Sequence, residues 1–502
     1  MKLLTKAEKS KGFWFLLEAA FIFFLLRLPS LFEPNWYGDE GIYQVLGTAI
    51  RQGRLLYKEI FDNKPPLLYL VYALFNSDQF AVRLASLFFG LLALIAFFLL
   101  SKKLFGQKEN GQKISIIATS VFGLLFALPL LEGNIANAEN FMLFPIITAG
   151  LIIFGLEGII SHTQKDRKLL LVTSGLLLGL SFLFKIVAVF DFTAFFLFLL
   201  LINLPIKLTF NKSDFKKNYG HLIRPLLYFV FGFAAPILIT ILYFLVNGAI
   251  KDLFAATFMQ NVGYVEYGNK LFIPQGFLIL KLCLLTVFLA FLFLKRTAFS
   301  KTSLFILIWF AFSLFNAYLS QRPYTHYVLV LIPSLSLLLG LVFWDKKYQI
   351  INLIFLTASF LFIVKDFNFY VKIIPYYQNF TSFVIGQKTA SSYEAFFDKK
   401  TPIDYNVAQF INSKTTDKNN IFIWGNNAQL YTLTNKLPPG KYAVAYHITY
   451  YKDGFQNTSD AILKANPKFI IVMPNQGMPP ISLLRYNRNL KIDNVLIYER
   501  VF

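Results

Sequence analysis

The chain has 502 residues, of which 56% are hydrophobic and only 15% are charged, and its formal net charge is +21 at pH 7. No soluble core needs so much apolar surface, so the composition excludes a soluble globular protein. The positive charge would also suit nucleic-acid binding. Because the basic residues lie in loops between apolar runs, membrane topology explains them, and we expect no nucleic-acid partner. The single cysteine, Cys283, excludes an intramolecular disulfide.

The N-terminal segment places lysines before an apolar stretch, as a signal peptide does. It lacks a small-x-small cleavage site and the stretch continues to Leu28, so we predict a retained first span. Further apolar runs of roughly 17–25 residues, the length that crosses a bilayer as a helix, predict about eleven spans. The region 169–204 is compatible with one long helix, but we divide it because of its length and because Lys185 suits an interface. The predicted spans are 13–32, 80–100, 114–131, 141–160, 169–184, 187–204, 225–246, 275–294, 302–320, 327–344 and 349–369.

The distribution of Lys and Arg among the loops predicts the orientation. Loops rich in these residues stay in the cytoplasm, which places the N-terminus in the cytoplasm of a plasma (inner) membrane protein and the C-terminal region outside. The first outer loop is an exception, because it has as many basic residues as the N-terminal tail. Cations placed against the rule are expected to have a function, and in this loop they are Arg51, Arg54, Lys58 and Lys64.

The polar character of the chain rises near residue 375. We therefore predict a membrane module over 1–374 and a small extracytoplasmic α/β domain over 375–502, because polar helical stretches alternate there with short β-rich runs. The predicted helices are 405–414, 429–434 and 458–465, and the predicted strands are 420–424, 442–445, 469–472 and 495–498.

The outer loops 33–79, 132–140, 185–186, 247–274 and 321–326 are predicted to meet on one membrane face. Together they carry carboxylates and cations at a lipid–water boundary, which suits group transfer from a lipid phosphate. The cations would stabilise the departing phosphate, and a carboxylate would remove a proton from the acceptor. The carboxylates are Asp39, Glu40, Glu59, Asp62, Glu132, Glu139, Asp252 and Glu266, and the cations are Arg51, Arg54, Lys64, Lys185 and Arg322.

The first loop, together with the Phe80-Ala81-Val82-Arg83-Leu84 that follows it, also carries a family resemblance. It reads GDEGIYQVLGTAIRQGRLLYKEIFDNKPPLLYLVYALF and resembles the first-loop signature of the protein O-mannosyltransferase and lipid A aminoarabinose transferase superfamily. The resemblance covers roughly residues 10–345 and implies a GT-C fold and sugar transfer from a polyprenyl phosphate to a protein, lipid or glycan acceptor. It extends to Ala138-Glu139-Asn140, to Phe184-Lys185 and to Arg322-Pro323-Tyr324-Thr325-His326-Tyr327 followed by Pro333.

The resemblance implies roles for individual residues. Asp39 matches the catalytic carboxylate of the first loop, Glu40 its usual neighbour, and Glu139 the acidic position of the second loop. Lys64 matches a cation that contacts the lipid phosphate. We predict that Lys185 and Arg322 assist Lys64, and that Tyr43, Glu266, Tyr324 and His326 contact the sugar or the acceptor.

No cofactor is expected from the resemblance, and no metal site is predicted. Aminoarabinose transferases have Glu before the Lys-Pro-Pro motif, and this chain has Asn63 there. A divalent metal stays open, since Asp62 offers a carboxylate next to that position.

Plainer roles exist for several of these residues. Asp39 and Glu266 are compatible with solvated loop acids, and Pro65-Pro66 with a rigid turn before a helix. Lys185 also suits a lysine whose ammonium reaches the membrane interface, and Arg322 an ordinary Arg at a span end. His326 is compatible with a structural hydrogen-bonding role.

Two other classes of protein remain open alternatives. A transporter or lipid flippase usually places ionisable or helix-breaking residues near mid-membrane in two related halves. In this chain the acidic residues gather at one surface and no paired halves are visible, so the sequence favours an enzyme. A non-catalytic scaffold with the same fold is the second alternative, because fold does not imply function.

Overall fold

The computed structural model of the chain describes residues 11–156, 164–204, 212–477, 479 and 483–501. These residues form two compact units, each made of segments that are discontinuous in the sequence. Unit 1 contains Met1–Leu28, Ala85–Tyr243 and Met259–Val371. Unit 2 contains Pro29–Leu84, Phe244–Phe258 and Lys372–Phe502, and so joins the first loop to the C-terminal residues.

Apolar helices make up most of unit 1. Within the described residues, eight helices are long and apolar enough to cross a membrane, and three further apolar helices are shorter. All eleven predicted spans coincide with these helices, so the protein is a multi-pass helical membrane protein. The eight are Lys11–Phe32, Gln79–Phe105, Ala138–Gly155, Asp166–Phe184, Ile186–Asn203, Ile223–Val246, Gly276–Leu294 and Lys346–Asp366, and the shorter three are Gly111–Ala127, Lys301–Ala317 and Ile332–Trp344.

The chain breaks between two spans at the position of Lys185. Helix Gln164–Phe184 ends there, a 3-10 turn follows over Ile186–Ala188, and helix Val189–Asn203 continues. Lys185 itself is extended, with φ −154° and ψ 128°. The predicted division of 169–204 into two helices is therefore confirmed. The end of the predicted span 141–160 lies outside the described residues, because helix Ala138–Gly155 is followed by the undescribed segment 157–163.

The remaining helices of unit 1 continue or connect the apolar ones. Helix Lys212–Val246 has 35 residues and contains Pro225 and Pro236. This helix begins 13 residues before the predicted span 225–246 and ends where that span ends. The short connecting helices are Gln260–Gly268 and His326–Leu329, and the last apolar helix runs over Gln349–Asp366.

Two ionisable groups inside the apolar helices of unit 1, Asp191 and Arg27, have polar partners. The Asp191 carboxylate accepts a hydrogen bond of 2.7 Å from the Trp309 indole N–H. The Arg27 guanidinium donates to the Ser86 hydroxyl at 3.2 Å. Such pairing is what the high cost of an unpaired polar group in hydrocarbon requires.

Unit 2 combines short helices with a four-stranded sheet. The strands are β1 Ile421–Trp424, β2 Phe469–Val472, β3 Tyr486–Ile492 and β4 Val495–Arg500, in the order β1-β2-β4-β3. Strands β1 and β2 are parallel, with helix Gly454–Ala465 between them in the chain, as a crossover connection requires. The other helices are Gly38–Arg51, Pro66–Leu74, Ile250–Phe254, Ile373–Val384, Ala390–Phe397, Thr401–Lys414, Gln429–Leu433 and Ala445–Tyr450.

The α/β character predicted for the C-terminal residues is confirmed, but one of the four predicted strands is wrong. Residues 442–444 have no strand pairing, and Ala445 begins a helix. The backbone N–H of Ala445 instead donates to the carbonyl of Gly425 at 2.8 Å, just after β1. Tyr442, Ala443 and Val444 are buried without a strand ladder, and the Tyr442 ring contacts Phe61 and Tyr451. Strand β3 was not predicted, because its sequence YNRNLKI is largely polar, as suits an edge strand paired on one side only.

Candidate active site

Helix Gly38–Arg51 carries two adjacent carboxylates in its first turn, Asp39 and Glu40. Negative charge is favourable at this end because the helix dipole is positive there. Neighbouring residues of a helix point in different directions, and the two carboxylates have different surroundings. The Asp39 side chain is 40% exposed, whereas that of Glu40 is 4% exposed.

Glu40 belongs to a closed ion cluster around Arg83, whose side chain is fully buried. The guanidinium binds both carboxylate oxygens of Glu40, and one of its nitrogens lies 2.9 Å from the carboxylate of Glu33. Tyr376, from the C-terminal part of unit 2, donates to Glu33 at 2.6 Å. The cluster is completed by the carbonyl of Ser30, 2.7 Å from Arg83. A buried charge needs such complete pairing, and Glu40 is here a structural partner.

Lys64 is held in place by the residues around its backbone. Its N–H donates to the Tyr69 hydroxyl at 3.1 Å, and its carbonyl accepts from the Tyr57 hydroxyl at 2.7 Å. Pro65 then caps helix Pro66–Leu74, whose first residue is also a proline, an arrangement that fixes the start of a helix. Tyr57 has φ +67°, a costly backbone conformation for a bulky residue that is often found at functional sites.

The ammonium of Lys64 points at Asp39. It lies 3.5 Å from an Asp39 carboxylate oxygen and 3.9 Å from Asp62, and 4.7 Å above the centre of the Tyr43 ring. Tyr43 follows Asp39 by one helical turn and donates its hydroxyl to the same carboxylate at 3.1 Å. Burial, followed by the Asp39 charge, raises the pKa of Tyr43 well above its ordinary value. The Tyr43 hydroxyl therefore stays protonated as a donor to Asp39.

Asp62 connects this group to the C-terminal residues of unit 2. Its carboxylate accepts a hydrogen bond of 2.6 Å from Tyr69, and its other oxygen lies 3.7 Å from Nε2 of His447. Burial lowers the pKa of His447 to about 4, although Asp62 opposes the shift. At neutral pH the imidazole is uncharged, so Lys64 is the cation that faces Asp39 and Asp62.

The group of Asp39, Tyr43, Asp62 and Lys64 has the parts of an acid–base and anion-binding site. One carboxylate is accessible to a reactant, and an ammonium beside it is partly exposed, at 20%. Such a pair can accept a proton and stabilise a negative leaving group. Among the residues that the structure describes, no group of three His, Cys, Asp or Glu side chains is placed to hold a metal ion.

The second set of predicted residues lies in unit 1. Lys185 forms an ion pair with Glu139 at the start of helix Ala138–Gly155, and its ammonium lies 4.4 Å from the centre of the Tyr327 ring. The Glu139 side chain is 2% exposed and that of Lys185 is 17% exposed. The sequence named both residues but did not predict that they neutralise each other.

His326 is paired with a carboxylate in the same unit. Its Nδ1 lies 2.9 Å from Glu132, which also accepts from the Thr325 hydroxyl at 2.9 Å. Glu132 has φ +59°, so the turn before Ala138 is held in an uncommon conformation. The Tyr324 ring stacks on His326, with ring centres 5.7 Å apart, and the residue is partly exposed.

Arg322 and Glu266, the last two predicted site residues, lie in connecting segments of unit 1. Arg322 is half-buried in the segment between helices Lys301–Ala317 and His326–Leu329. Glu266 lies in helix Gln260–Gly268, and its side chain is outside what the structure describes.

The structure thus brings Asp39, Tyr43 and Lys64 together in unit 2, and Glu139 with Lys185 in unit 1. It also reveals partners that sequence reasoning missed, namely Glu33, Arg83 and His447. Arg83 was visible in the quoted Phe80–Leu84 motif as a charge entering an apolar helix, and ionisable residues in such positions are usually paired. No local signal could have found His447, because it is 385 residues from Asp62 in the chain and meets it only in the folded unit.

Comparison with known proteins gives structural relatives only. No family model and no curated protein matches the chain. The crystal structure of ArnT from Cupriavidus metallidurans bound to undecaprenyl phosphate aligns over 97% of this chain and 98% of that one, at 15% identity and a TM-score of 0.55. The apo state of the same protein aligns over the same shares, at 14% identity and a TM-score of 0.52.

A further structural match is the archaeal oligosaccharyltransferase AglB from Archaeoglobus fulgidus in complex with an inhibitory peptide and a dolichol-phosphate. It has 13% identity, covers 93% of this chain and 69% of its own, and has a TM-score of 0.47. Because this score is below 0.5, we assign the fold from ArnT alone. The chain has the GT-C fold of ArnT over nearly its whole length, which confirms the fold that the resemblance of the first loop implied.

Proposed function

We propose that the protein is an integral-membrane glycosyltransferase that moves a sugar from a polyprenyl phosphate to an extracytoplasmic acceptor. The observation that carries the proposal is the exposed Asp39 carboxylate 3.5 Å from the Lys64 ammonium, in a chain with the fold of ArnT. ArnT has been crystallised with undecaprenyl phosphate. A lipid of that class is a fitting donor for this chain, because its phosphate needs a cation at the membrane surface.

The chemistry requires one proton acceptor and one anion stabiliser. An acceptor hydroxyl or amine attacks the anomeric carbon, and the bond from that carbon to the phosphate oxygen breaks with inversion. Asp39 takes the proton of the attacking group. The electron pair of the broken bond stays on the lipid phosphate, where Lys64 stabilises the added negative charge. Tyr43, by donating to Asp39, orients the carboxylate for this step.

The remaining residues receive narrower roles. We assign Glu40 to the support of helix Gly38–Arg51, since it is buried against Arg83. Lys185 and Arg322 as donor-phosphate contacts, Glu139 as a second catalytic carboxylate, and Glu266, Tyr324 and His326 as sugar or acceptor contacts remain predictions from the sequence. The pairing of Lys185 with Glu139 supports a role for the two as a unit.

The proposed location follows from the proposed donor. A polyprenyl-phosphate sugar enters from the outer leaflet of the plasma (inner) membrane, so the first loop and the residues after 375 face the outside and the N-terminus faces the cytoplasm. The acceptor is a protein, a lipid or a glycan of the cell envelope. The alternatives of a flippase or a scaffold receive less support, because neither needs an exposed carboxylate beside a fixed cation.

The decisive experiment is turnover of radiolabelled polyprenyl-phosphate monosaccharides by the purified full chain in detergent. Wild type is compared with Asp39→Asn and with Asp417→Asn, an exposed carboxylate of the same unit that serves as a matched control. We expect release of polyprenyl phosphate, or transfer to envelope extract, with wild type and Asp417→Asn only. Turnover by Asp39→Asn at the wild-type rate would refute the catalytic assignment, and absence of both donor binding and turnover would favour a flippase or scaffold.

A further inference from the structure

We propose that helix Ile373–Val384 of unit 2 lies in the surface of the lipid bilayer, with its apolar face against phospholipid. The helix follows the last apolar helix, Gln349–Asp366, along the chain. It begins the C-terminal region that the sequence predicted as a small extracytoplasmic α/β domain, so the proposal gives that region a membrane contact of its own. The contact rests on the geometry of unit 2, whereas its effect on sugar transfer rests on the proposed function.

The polarity of this helix is the reverse of that of a helix at a water-facing surface. The residues that it buries, Tyr376 and Asn379, are polar. The Tyr376 hydroxyl donates to Glu33 at 2.6 Å, and the Asn379 amide donates to a backbone carbonyl at 3.2 Å. The exposed side chains include Ile374 and Val384, which are 70% and 64% exposed. Aliphatic side chains on the outside of a helix favour an apolar partner over water.

The length and the remaining side chains of the exposed face fit the plane of the membrane interface. With 12 residues the helix is too short to cross a bilayer. Ile385 extends the apolar end, and the Thr381 hydroxyl donates to the carbonyl of Tyr377 at 3.0 Å, so its polar group is satisfied within the helix. Gln378 and the preceding Lys372 are exposed, and at headgroup depth both can bond to water and to lipid phosphates.

Two span ends mark the level of the bilayer beside this helix. The apolar helix Lys11–Phe32 ends at Phe32, and Gln79–Phe105 has Phe80 in its first turn. The first loop joins these two ends, so both lie at the same face of the membrane. The Phe32 ring lies 5.8 Å from the Phe80 ring and 5.8 Å from the ring of Phe380 in the proposed interfacial helix. The apolar surface of that helix therefore adjoins the ends of two spans.

Unit 2 also contains an amphipathic helix whose apolar face is covered by protein. In helix Gly38–Arg51 the apolar side chains of Ile42 and Leu46 are buried. Ile374 and Val384, in contrast, remain largely uncovered by the residues that the structure describes. An apolar face of this kind marks an interaction site. Phospholipid is the occupant, because the adjoining span ends already lie at the bilayer surface.

The buried side of the helix connects the membrane contact to the candidate active site. Glu33, which accepts from the Tyr376 hydroxyl, pairs with Arg83. Arg83 in turn binds Glu40, the neighbour of Asp39 in the chain. A helix fixed at headgroup depth thus holds the Asp39 carboxylate near the depth of lipid phosphates, where the proposed donor presents its reacting bond. The contact should therefore matter most for a donor that is anchored in the bilayer.

The first test measures the membrane contact without turnover. The full chain with Cys283→Ser is reconstituted into vesicles of phosphatidylcholine and phosphatidylglycerol, and a nitroxide is attached to a cysteine introduced as Ile374→Cys or Val384→Cys. The control is Leu463→Cys, because Leu463 is also 70% exposed but lies in the crossover helix Gly454–Ala465. Electron paramagnetic resonance compares collisions with oxygen, which partitions into hydrocarbon, and with a nickel chelate, which stays in water.

We expect the ratio of oxygen to nickel collisions to be about tenfold higher at Ile374 and Val384 than at Leu463, since an interfacial helix reaches about 5–10 Å into the boundary of headgroups and acyl chains. Equal ratios at the three positions would overturn the proposal. Low collision rates with both reagents, together with spin–spin broadening, would also overturn it, because a second copy of the chain would then cover the face.

The second test addresses the effect on transfer. The test variant is Ile374→Asn/Val384→Asn, and the matched control is Leu463→Asn/Leu484→Asn, which changes two exposed leucines elsewhere in unit 2. Turnover in vesicles is measured with a long-chain polyprenyl-phosphate sugar and with a short-chain, water-soluble analogue. Unfolding temperatures establish that each variant is folded.

We expect the test variant to lose about tenfold in rate with the long-chain donor and to stay within about twofold with the short-chain donor, because only the former is held at a fixed depth. The control should keep the wild-type rate with both donors. An equal loss with both donors would overturn the effect on depth. Absence of turnover by wild type with either donor would contradict the proposed function instead, and the collision ratios would still decide the membrane contact.

Discussion

Two carboxylate–cation groups in unit 2 begin at neighbouring residues and have opposite properties. Asp39 and Lys64 are 3.5 Å apart with side chains 40% and 20% exposed. Glu40 and Arg83 form a closely bound pair with side chains 4% and 0% exposed. Each pair consists of one acidic and one basic side chain. The two pairs differ in how far the charged groups are buried and in how many partners they have.

The comparison teaches how to separate chemistry from structure among adjacent acids. A buried guanidinium that binds two carboxylates and a carbonyl has no capacity left for a substrate. A carboxylate such as that of Asp39, whose side chain is 40% exposed, can still exchange a proton. We therefore expect Asp39 to take part in the reaction and Glu40 to stabilise the fold, although the two residues are adjacent in the chain.

The largest expected effect comes from Asp39→Asn. The substitution keeps the shape of the side chain but removes the proton acceptor, so transfer should fall by about 10³-fold, within the range for loss of a general base. The unfolding temperature should stay within a few degrees of wild type. The transfer rate and the unfolding temperature are measured on the same preparation. A folded variant with near-normal turnover would contradict the assignment of Asp39 as the proton acceptor.

Arg83→Gln should act on stability. It leaves the carboxylates of Glu33 and Glu40 buried without their cation, and breaking one partner of a buried pair typically costs about 3–5 kcal/mol. The expected readout is a large drop in unfolding temperature or loss of the folded protein from detergent extracts. A variant with wild-type unfolding and a selective loss of transfer would show instead that this cluster belongs to the reacting site.

Lys64→Gln should lower transfer by about 10²-fold, because it removes one charge-assisted contact to the leaving phosphate. Lys64→Arg keeps the charge and should recover part of the rate. Equal transfer rates for Lys64→Gln and Lys64→Arg would contradict a role for the positive charge of this residue in stabilising the leaving phosphate. Folding should change little, since the backbone contacts to Tyr57 and Tyr69 persist in both variants.

Gly41→Ala tests whether helix Gly38–Arg51 is positioned by the C-terminal residues. A Cβ at Gly41 would lie 2.6 Å from the backbone nitrogen of Gln429, so the two helices must separate, at a cost of about 1–3 kcal/mol. Gly38→Ala is the matched control, because nothing lies within 4 Å of its Cβ position. We expect Gly41→Ala alone to lower both the unfolding temperature and the rate of transfer.

The smallest effect is a pH dependence from His447. Its pKa is about 4 in the folded chain against an ordinary value of 6.5, so between these values the unfolded chain binds a proton that the folded chain does not. Stability from this group therefore falls as the pH decreases, by about 1–2 kcal/mol from pH 7 to pH 5. Asp404, with its pKa raised to about 6 by burial, acts with the opposite sign.

The His447 contribution is isolated by comparing wild type with His447→Gln, since Asp404 is common to both. We expect the free energy of unfolding of wild type to fall relative to that of His447→Gln as the pH decreases from 7 to 5. The reason is that only wild type has an imidazole that takes up a proton on unfolding in this range. A difference that is constant from pH 7 to pH 5 would contradict a depressed pKa. It would also remove the reason for treating Lys64 as the cation that faces Asp62.

Much of the fold was predictable because its signals are local. Apolar runs in the sequence predicted the positions of eleven apolar helices among the described residues, of which eight are long enough to cross a bilayer, since hydrocarbon favours a continuous helix. The break at Lys185 was also readable, from a charge in an apolar run. The wrong strand at 442–445 and the missed strand β3 show the limit, because both depend on which distant backbone groups are available for pairing.

The sequence alone determined that this is a multi-pass membrane protein with the GT-C fold, and it selected Asp39 and Lys64 as candidates. The tertiary structure decided which of the adjacent carboxylates is enclosed by Arg83 and which faces Lys64. It also decided that His447 meets Asp62 and that helix Ile373–Val384 exposes Ile374 and Val384. The physical reason is that burial and pairing of a charge depend on residues from distant parts of the chain, whereas hydropathy and motif spacing are properties of a single segment.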